Sequence, residues 1–366
     1  MNPRHILISR TDSIGDVILT LPLAGLLKRK FPDCRISFLG MPYTSEIINS
    51  CTNIDAFINW QEIDSLTESE AITQLKEVNA DLIIHVFPRK KISFLARKAG
   101  IPNRLGSTGR LYHWRDCNIL VPLSRKRSDL HEAMLNLKLA QRVHKFKIQE
   151  SINKENHADN TITISDIPSL YGMRVDQPVD PTFGNLINSS DFNIILHPRS
   201  KGSSREWGIE NYAKLAQELS KKNKGSGTNN YKVFITGTQL EGEMLQKEGF
   251  FKLAGNVVDV TGRFNLKEFI QFINSADALI AGSTGPLHIA SALGKVTIGL
   301  YPPIKPMDPG RWAPIGKRAS FIVADKECNI CRKSKVCECM QLISVDEVYQ
   351  RLESMVTRDI LKSKQS

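Results

Sequence analysis

His5-Ile6-Leu7-Ile8-Ser9-Arg10-Thr11-Asp12-Ser13-Ile14-Gly15-Asp16-Val17-Ile18-Leu19-Thr20-Leu21-Pro22 decides how this chain is to be read. His5 to Ser9 is a short, mostly apolar run that stops at a polar loop, and from Val17 to Lys30 apolar residues return with helical spacing. A buried strand handing over through a short loop to a helix is the opening of a parallel sheet flanked by helices. The pattern then repeats. Strand signals at Arg35 to Leu39 and Asp81 to Phe87 alternate with helical ones at Glu68 to Val78 and His131 to Val143. Together they predict one α/β domain.

Periodicity lapses from Lys145 to Asp191, a polar stretch punctuated by Pro168, Pro178 and Pro181, with short apolar pieces such as Ile162 to Ile164. This reads as a linker holding at most a strand. A second alternating series follows. Strands are expected at Phe192–Leu196, Tyr231–Thr236, Val257–Val260, Ala278–Ala281 and Val296–Leu300. Helices are expected at Asn211–Lys221, Leu240–Lys252, Leu266–Ala276 and Pro286–Leu293. The glycine-rich insert 222–230 reads as a surface loop. The reading is therefore of two doubly wound domains, 1–180 with the linker and 181–345, followed by a helical tail, 346–366. In such sheets ligands bind beyond the carboxyl ends of the strands, so the loops after strands are where function is sought.

The totals agree with a two-domain protein. A chain of 366 residues exceeds one ordinary core, and 41% hydrophobic with 24% charged residues is a globular balance. No run of about 18 uncharged apolar residues could span a bilayer. Met1 to His5 leads straight into a strand without an apolar leader, so a cytoplasmic location is expected. A net charge of +11 favours anionic partners: a phosphorylated substrate, an anionic membrane surface or nucleic acid. The basic clusters at Arg89–Lys91, Arg97–Lys98 and Arg125–Arg127 lack the aromatic interleaving of a single-strand groove, which argues against nucleic acid.

Three loops could carry chemistry. After the first strand, Gly15 would allow close backbone approach and Asp16 would sit at a helix start, either as a functional carboxylate or simply as an N-cap. Arg10 and Ser13 in the same loop could bind an anion. In the second domain, Gly282-Ser283-Thr284-Gly285-Pro286-Leu287-His288 turns from a strand into a helix whose free amides suit a pyrophosphate. Between the first strand and helix of that domain lies His197-Pro198-Arg199-Ser200-Lys201-Gly202-Ser203-Ser204-Arg205-Glu206-Trp207. There Arg199, Lys201 and Arg205 could meet phosphates or face water.

Asp16 within Ser13-Ile14-Gly15-Asp16-Val17, the Arg205-Glu206-Trp207 triplet, Thr284-Gly285-Pro286-Leu287-His288-Ile289-Ala290 and Gly310-Arg311-Trp312-Ala313-Pro314 resemble the signature segments of glycosyltransferase family 9, the ADP-heptose:lipopolysaccharide heptosyltransferases. The resemblance runs from His5 to about Met340. It implies a GT-B fold of two Rossmann-like domains facing across a cleft. The implied reaction is an inverting transfer from a nucleotide sugar, ADP-heptose by family analogy, with no metal or cofactor at the reaction centre. The acceptor would be a lipopolysaccharide core or similar anionic saccharide at the inner face of the inner membrane. In this likeness Asp16 is the general base, with Arg10, Ser13 and Gly15 on the acceptor side. Arg205, Lys201, Ser283, Thr284, Gly285 and His288 hold the donor, and Gln239 or Glu241 contacts the nucleoside. A final helix often returns to the first domain in such folds. One residue departs from the pattern: Ser283 stands where heptosyltransferases carry an Asp that touches the donor sugar, which opens the identity of that sugar. Transfer of another sugar, nucleotide-sugar epimerisation and non-catalytic sugar-nucleotide binding are the competing readings. Lastly, Cys328, Cys331, Cys337 and Cys339 are dense enough to hold a structural zinc, or could remain reduced thiols.

Overall fold

The computed structural model describes residues 2–144, 147–148, 161–177, 181–200, 202, 204–221, 230–305, 307–325 and 338–363. The chain divides into two units, Met1–Arg174 and Val175–Ser366. In the first, the strands β1 (His5–Ser9), β2 (Arg35–Gly40), β3 (Ala56–Asn59), β4 (Leu82–His85), β5 (Asn103–Ser107) and β6 (Ile119–Val121) form a parallel sheet in the order β3-β2-β1-β4-β5-β6. Two-residue strands β7 (Lys147–Ile148) and β8 (Thr161–Ile162) pair with each other. In the second unit β9 (Phe192–His197), β10 (Tyr231–Ile235), β11 (Val258–Asp259), β12 (Ala278–Gly282), β13 (Val296–Tyr301) and β14 (Ala319–Val323) repeat the same parallel plan as β11-β10-β9-β12-β13-β14. Two six-stranded parallel sheets of the same order are the two doubly wound domains expected from the sequence.

The central strands β1, β4 and β12 are buried throughout and mostly apolar because helices cover both faces of a parallel sheet. The strands that sequence reading missed, β3, β5, β6 and β14, lie toward the sheet edges. There half-exposed and polar residues such as Asn103, Arg104 and Ser320 dilute the apolar signal. Two expected helices are each split. Val17–Lys30 is in fact Ile14–Ile18 followed by Leu21–Lys30, because Pro22 has no N–H with which to continue the first helix. Leu240–Lys252 is Gln239–Lys247 then Phe250–Ala254, parted by Gly249 at φ 75°.

The expected linker is partly docked. Thr161–Arg174 lies against the first unit, with Thr52 N donating to Gly172 O at 2.9 Å and Asn53 Nδ2 to Leu170 O at 3.2 Å. A Cβ at Gly25 would sit 2.0 Å from the Leu170 carbonyl oxygen, so only glycine admits this segment against the helix Leu21–Lys30. The boundary therefore falls after Arg174 rather than at 180. The final helix Val345–Ser363 packs Val348, Leu352 and Val356 into the core of the second unit, with Tyr231 Oη donating to Glu353 Oε1 at 2.6 Å. An apolar stripe at helical spacing here meets the apolar surface of its own sheet.

Candidate active site

Strand order reverses between β1 and β4, and again between β9 and β12. Connections there leave toward opposite sides and open a crevice at the carboxyl ends. All three loops singled out from the sequence emerge at these two places.

In the first unit the loop after β1 folds around Arg10, which is 2% exposed. Its guanidinium donates to Asp12 Oδ1 at 2.8 Å and Asp12 Oδ2 at 3.0 Å, to Asp16, to Glu132 Oε1 at 3.0 Å and to Asn136 Oδ1 at 3.1 Å. Arg125 reaches the same two partners, Glu132 Oε1 at 2.9 Å and Asn136 Oδ1 at 2.8 Å. A buried guanidinium is tolerated because its charge and donors are matched by carboxylates. Arg10, expected to touch an acceptor, is instead turned inward and fully engaged.

Asp16 is not the N-cap. Ser13 occupies that position, and its hydroxyl donates to Asp16 Oδ2 at 2.5 Å, while Asp16 lies in the first turn of Ile14–Ile18 next to Gly15. Its side chain keeps 18% exposure, so the carboxylate is held by Arg10 and Ser13 and is still partly accessible. Burial pushes the Asp16 carboxyl above its ordinary value, Arg10 pulls it down and Asp12 pushes it up again, with a net upward shift. That combination is a carboxylate fixed in position whose affinity for a proton is raised, as a general base requires. Tyr43 donates to Asp12 O at 2.8 Å, and Arg89 to Thr11 Oγ1 at 3.1 Å, so the loops after β2 and β4 brace the same turn. Glu132, Asn136 and Tyr43 were missed in the sequence because nothing local marks them. Their partners are 100 or more residues away for the first two, and about 30 for the third.

In the second unit Arg199 is not a free phosphate ligand: its guanidinium pairs with Glu206 Oε2 at 2.8 Å and with Glu248. Arg205 is half-buried, and its carbonyl lies against Gly282, where a Cβ would be 3.4 Å away. The Arg205 segment and the Ser283–Gly285 turn are thus brought together. Lys201 lies outside the described residues. The helix Gly285–Ala292 begins with Pro286, and the Thr284 side chain at its N-cap makes no capping bond. Thr284 is buried, and its hydroxyl has no hydrogen-bond partner among the described residues; the same holds for Ser204 on the other side of Gly282. Buried hydroxyls are normally satisfied, so two orphans beside a helix N-terminus are donors that a polar ligand could use. His288 is buried in the first turn. Ser283 lies beside the buried Tyr301 hydroxyl and counters the upward push of burial on it, and that hydroxyl donates to Trp312 O. Gly299 leaves room for that Tyr301 ring, since a Cβ there would lie 2.5 Å from it.

Glu241 and Gln239 separate clearly. Glu241 is buried and closes a capping box with Thr238, accepting from Thr238 N at 2.7 Å, whereas Gln239 is exposed and donates to Glu243 at 3.1 Å. His197 bonds Thr236 Oγ1 through Nδ1 at 2.9 Å; burial drives its pKa down to about 4 against the pull of Glu241, so it is neutral at pH 7. Of the cysteine cluster, Cys328, Cys331 and Cys337 lie outside the described residues, and Cys339 is buried in the second core. Among the described residues no helix is long and apolar enough to cross a membrane.

The chain matches the family model described as Glycosyltransferase family 9 (heptosyltransferase) over residues 70–341. It is 26% identical, over 96% of each chain, to a Haemophilus influenzae protein that carries only the general name of a glycosyltransferase. Its fold is similar to that of a family 9 glycosyl transferase from Veillonella parvula, with a TM-score of 0.72, 19% identity and 97% of each chain covered. It is also similar to the E. coli ADP-heptose lipopolysaccharide heptosyltransferase II, with a TM-score of 0.68, 16% identity and 97% and 99% of the two chains covered.

Proposed function

This chain belongs to glycosyltransferase family 9, and on that premise we propose that it transfers a sugar from a nucleoside diphosphate to a saccharide hydroxyl with inversion, Asp16 acting as general base. The chain is a glycosyltransferase related to the lipopolysaccharide heptosyltransferases. The observation that carries the finer reading is the Asp16 carboxylate, held by Arg10 and Ser13 and still partly accessible. A sugar hydroxyl is a weak nucleophile. As its oxygen bonds to the anomeric carbon, its proton passes to Asp16, and the nucleoside diphosphate departs from the opposite face.

On the donor side, the amides opening Gly285–Ala292, the Thr284 and Ser204 hydroxyls, Arg205, Lys201 and His288 would hold the diphosphate. The helix N-terminus and these donors would offset the charge that develops on it, without a metal at the reaction centre. Glu241 follows the second strand of its unit, the place where an acidic residue meets the ribose in related dinucleotide-binding sheets. The donor is ADP-heptose by analogy with the E. coli relative, and the acceptor an anionic lipid-linked core saccharide.

Ser283 favours a second version of the same activity, with a sugar other than heptose. It lies beside the Tyr301 hydroxyl and presents no carboxylate to the sugar. Incubating purified protein with ADP-, UDP- and GDP-sugars and an extract of truncated lipopolysaccharide, with mass spectrometry of the products, tests both. Transfer from ADP-heptose supports the first version and transfer from another donor the second. Release of free sugar isomer without an acceptor, or no product with any donor, refutes the assignment of transfer.

A further inference from the structure

The loop after β5 carries a short helix, Leu111–Asp116, whose inner face is fixed by buried His113 and Asp116. Its outer face carries Leu111 at 90% exposure and Trp114 at 62%. Single exposed apolar residues are ordinary, but two large ones at i and i+3 form one protruding patch. The Trp114 indole N–H already donates to Thr108 O at 3.1 Å, so the ring can leave water without bringing an unpaired donor along.

The charge around the patch is one-sided. Thr108 N donates to Val121 O at 3.0 Å, which extends the pairing of β5 with β6, so the loops after these two strands leave the sheet side by side. Across 86–90, 108–116 and 122–130 the exposed cations are Arg89, Lys90, Arg110, Arg115, Lys126 and Arg127, and the exposed acid is Asp129. Asp116, which neutralises part of Arg115, is buried beneath them. All these loops leave the carboxyl edge of the first sheet, the edge that also carries Asp16.

We infer that this edge docks on a bilayer rich in anionic phospholipid, with Leu111 and Trp114 entering the interface and Arg110, Lys126 and Arg127 resting on the headgroups. An apolar tip ringed by cations matches the two layers of such a surface: hydrocarbon beneath, phosphate above. The inference rests on the proposed transfer to a lipid-linked saccharide for its purpose, since docking by this edge turns the loop of Asp16 toward the sheet of lipid that carries the acceptor.

The test is co-sedimentation of the full chain with vesicles of equal parts phosphatidylglycerol and phosphatidylcholine, and with vesicles of phosphatidylcholine alone. The wild type should bind the anionic vesicles and lose them as salt rises. Leu111→Ser with Trp114→Ser should weaken binding about tenfold, and Lys126→Gln with Arg127→Gln should weaken it less and flatten the salt dependence. Leu111→Ser alone removes only an exposed side chain, so a partial loss there excludes misfolding as the cause. Binding of the double apolar variant equal to the wild type, or no binding by the wild type, overturns the inference. So does a concentration-dependent dimer that the apolar variant abolishes while vesicle binding persists. Transfer to a deacylated, water-soluble acceptor keeps the two readings apart. Turnover there by a chain that ignores vesicles would sink the surface and keep the activity. Vesicle binding without turnover on any donor would do the reverse.

Discussion

The two units share a strand order, yet the turns at their switch points are built on opposite plans. After β1 the charged groups are paired with one another: Arg10 alone contacts three carboxylates, and Arg125 joins it on Glu132. After β12 two buried hydroxyls, Thr284 and Ser204, flank a helix N-terminus without partners among the described residues. The contrast fits the roles proposed for the two units. Proton transfer needs a carboxylate whose position and basicity are set beforehand, whereas holding an anion needs donors whose partner arrives with the ligand.

Replacing Asp16 with Asn gives the largest expected effect. Transfer should fall by about 10²- to 10⁴-fold, measured as initial rates, with donor affinity by calorimetry unchanged. Fold stability should not suffer. The raised carboxyl of Asp16 means the folded chain holds that proton more tightly than the unfolded one. Stability therefore falls as pH rises from the ordinary carboxylate value through the raised one, a loss that Asn removes. A collapse of stability instead would erase the distinction between the two turns. Glu132→Gln attacks the ion-paired side: Arg10 and Arg125 lose a buried counter-charge, and denaturant titration should show a loss of about 3 kcal/mol.

Thr284→Val probes the unsaturated side with nearly constant shape. It should raise the donor KM by roughly tenfold while leaving the melting temperature unchanged or slightly higher, since no protein hydrogen bond is lost. A clear drop in melting temperature would mean that this hydroxyl is structural after all. The smallest effect is in the pH profile. The acid limb of kcat/KM should lie above the ordinary carboxylate range because Asp16 must be deprotonated to act, and Glu132→Gln should move it to lower pH, since Glu132 helps to raise that carboxyl. A limb unmoved by Glu132→Gln would show that the helix Glu132–Ala140 holds Arg10 in place without tuning the base.

Much of this was legible before any coordinates. Strand-loop-helix alternation placed β1, β2, β4, β9, β10, β12 and β13, because buried central strands are continuous apolar runs whose pattern is local. The loops holding Asp16, Arg205 and the Thr284 turn were placed after such strands by the same logic. Arg199 was legible as a cation but not as a paired one, and Arg10 was read as outward-facing, since a basic residue in a loop gives no sign of the acids awaiting it.

The sequence by itself determined the double α/β plan, a division within the proline-punctuated stretch between the two series and the three loops after strands, because periodicity and turn chemistry act over a few residues. Only the tertiary structure decided that Arg10 is a buried hub, that Glu132 and Asn136 reach it across more than 120 positions, and that Leu111 and Trp114 are left facing outward. Those outcomes depend on which side chains meet after the sheets form, and a carboxylate far along the chain becomes a neighbour only when packing brings it there.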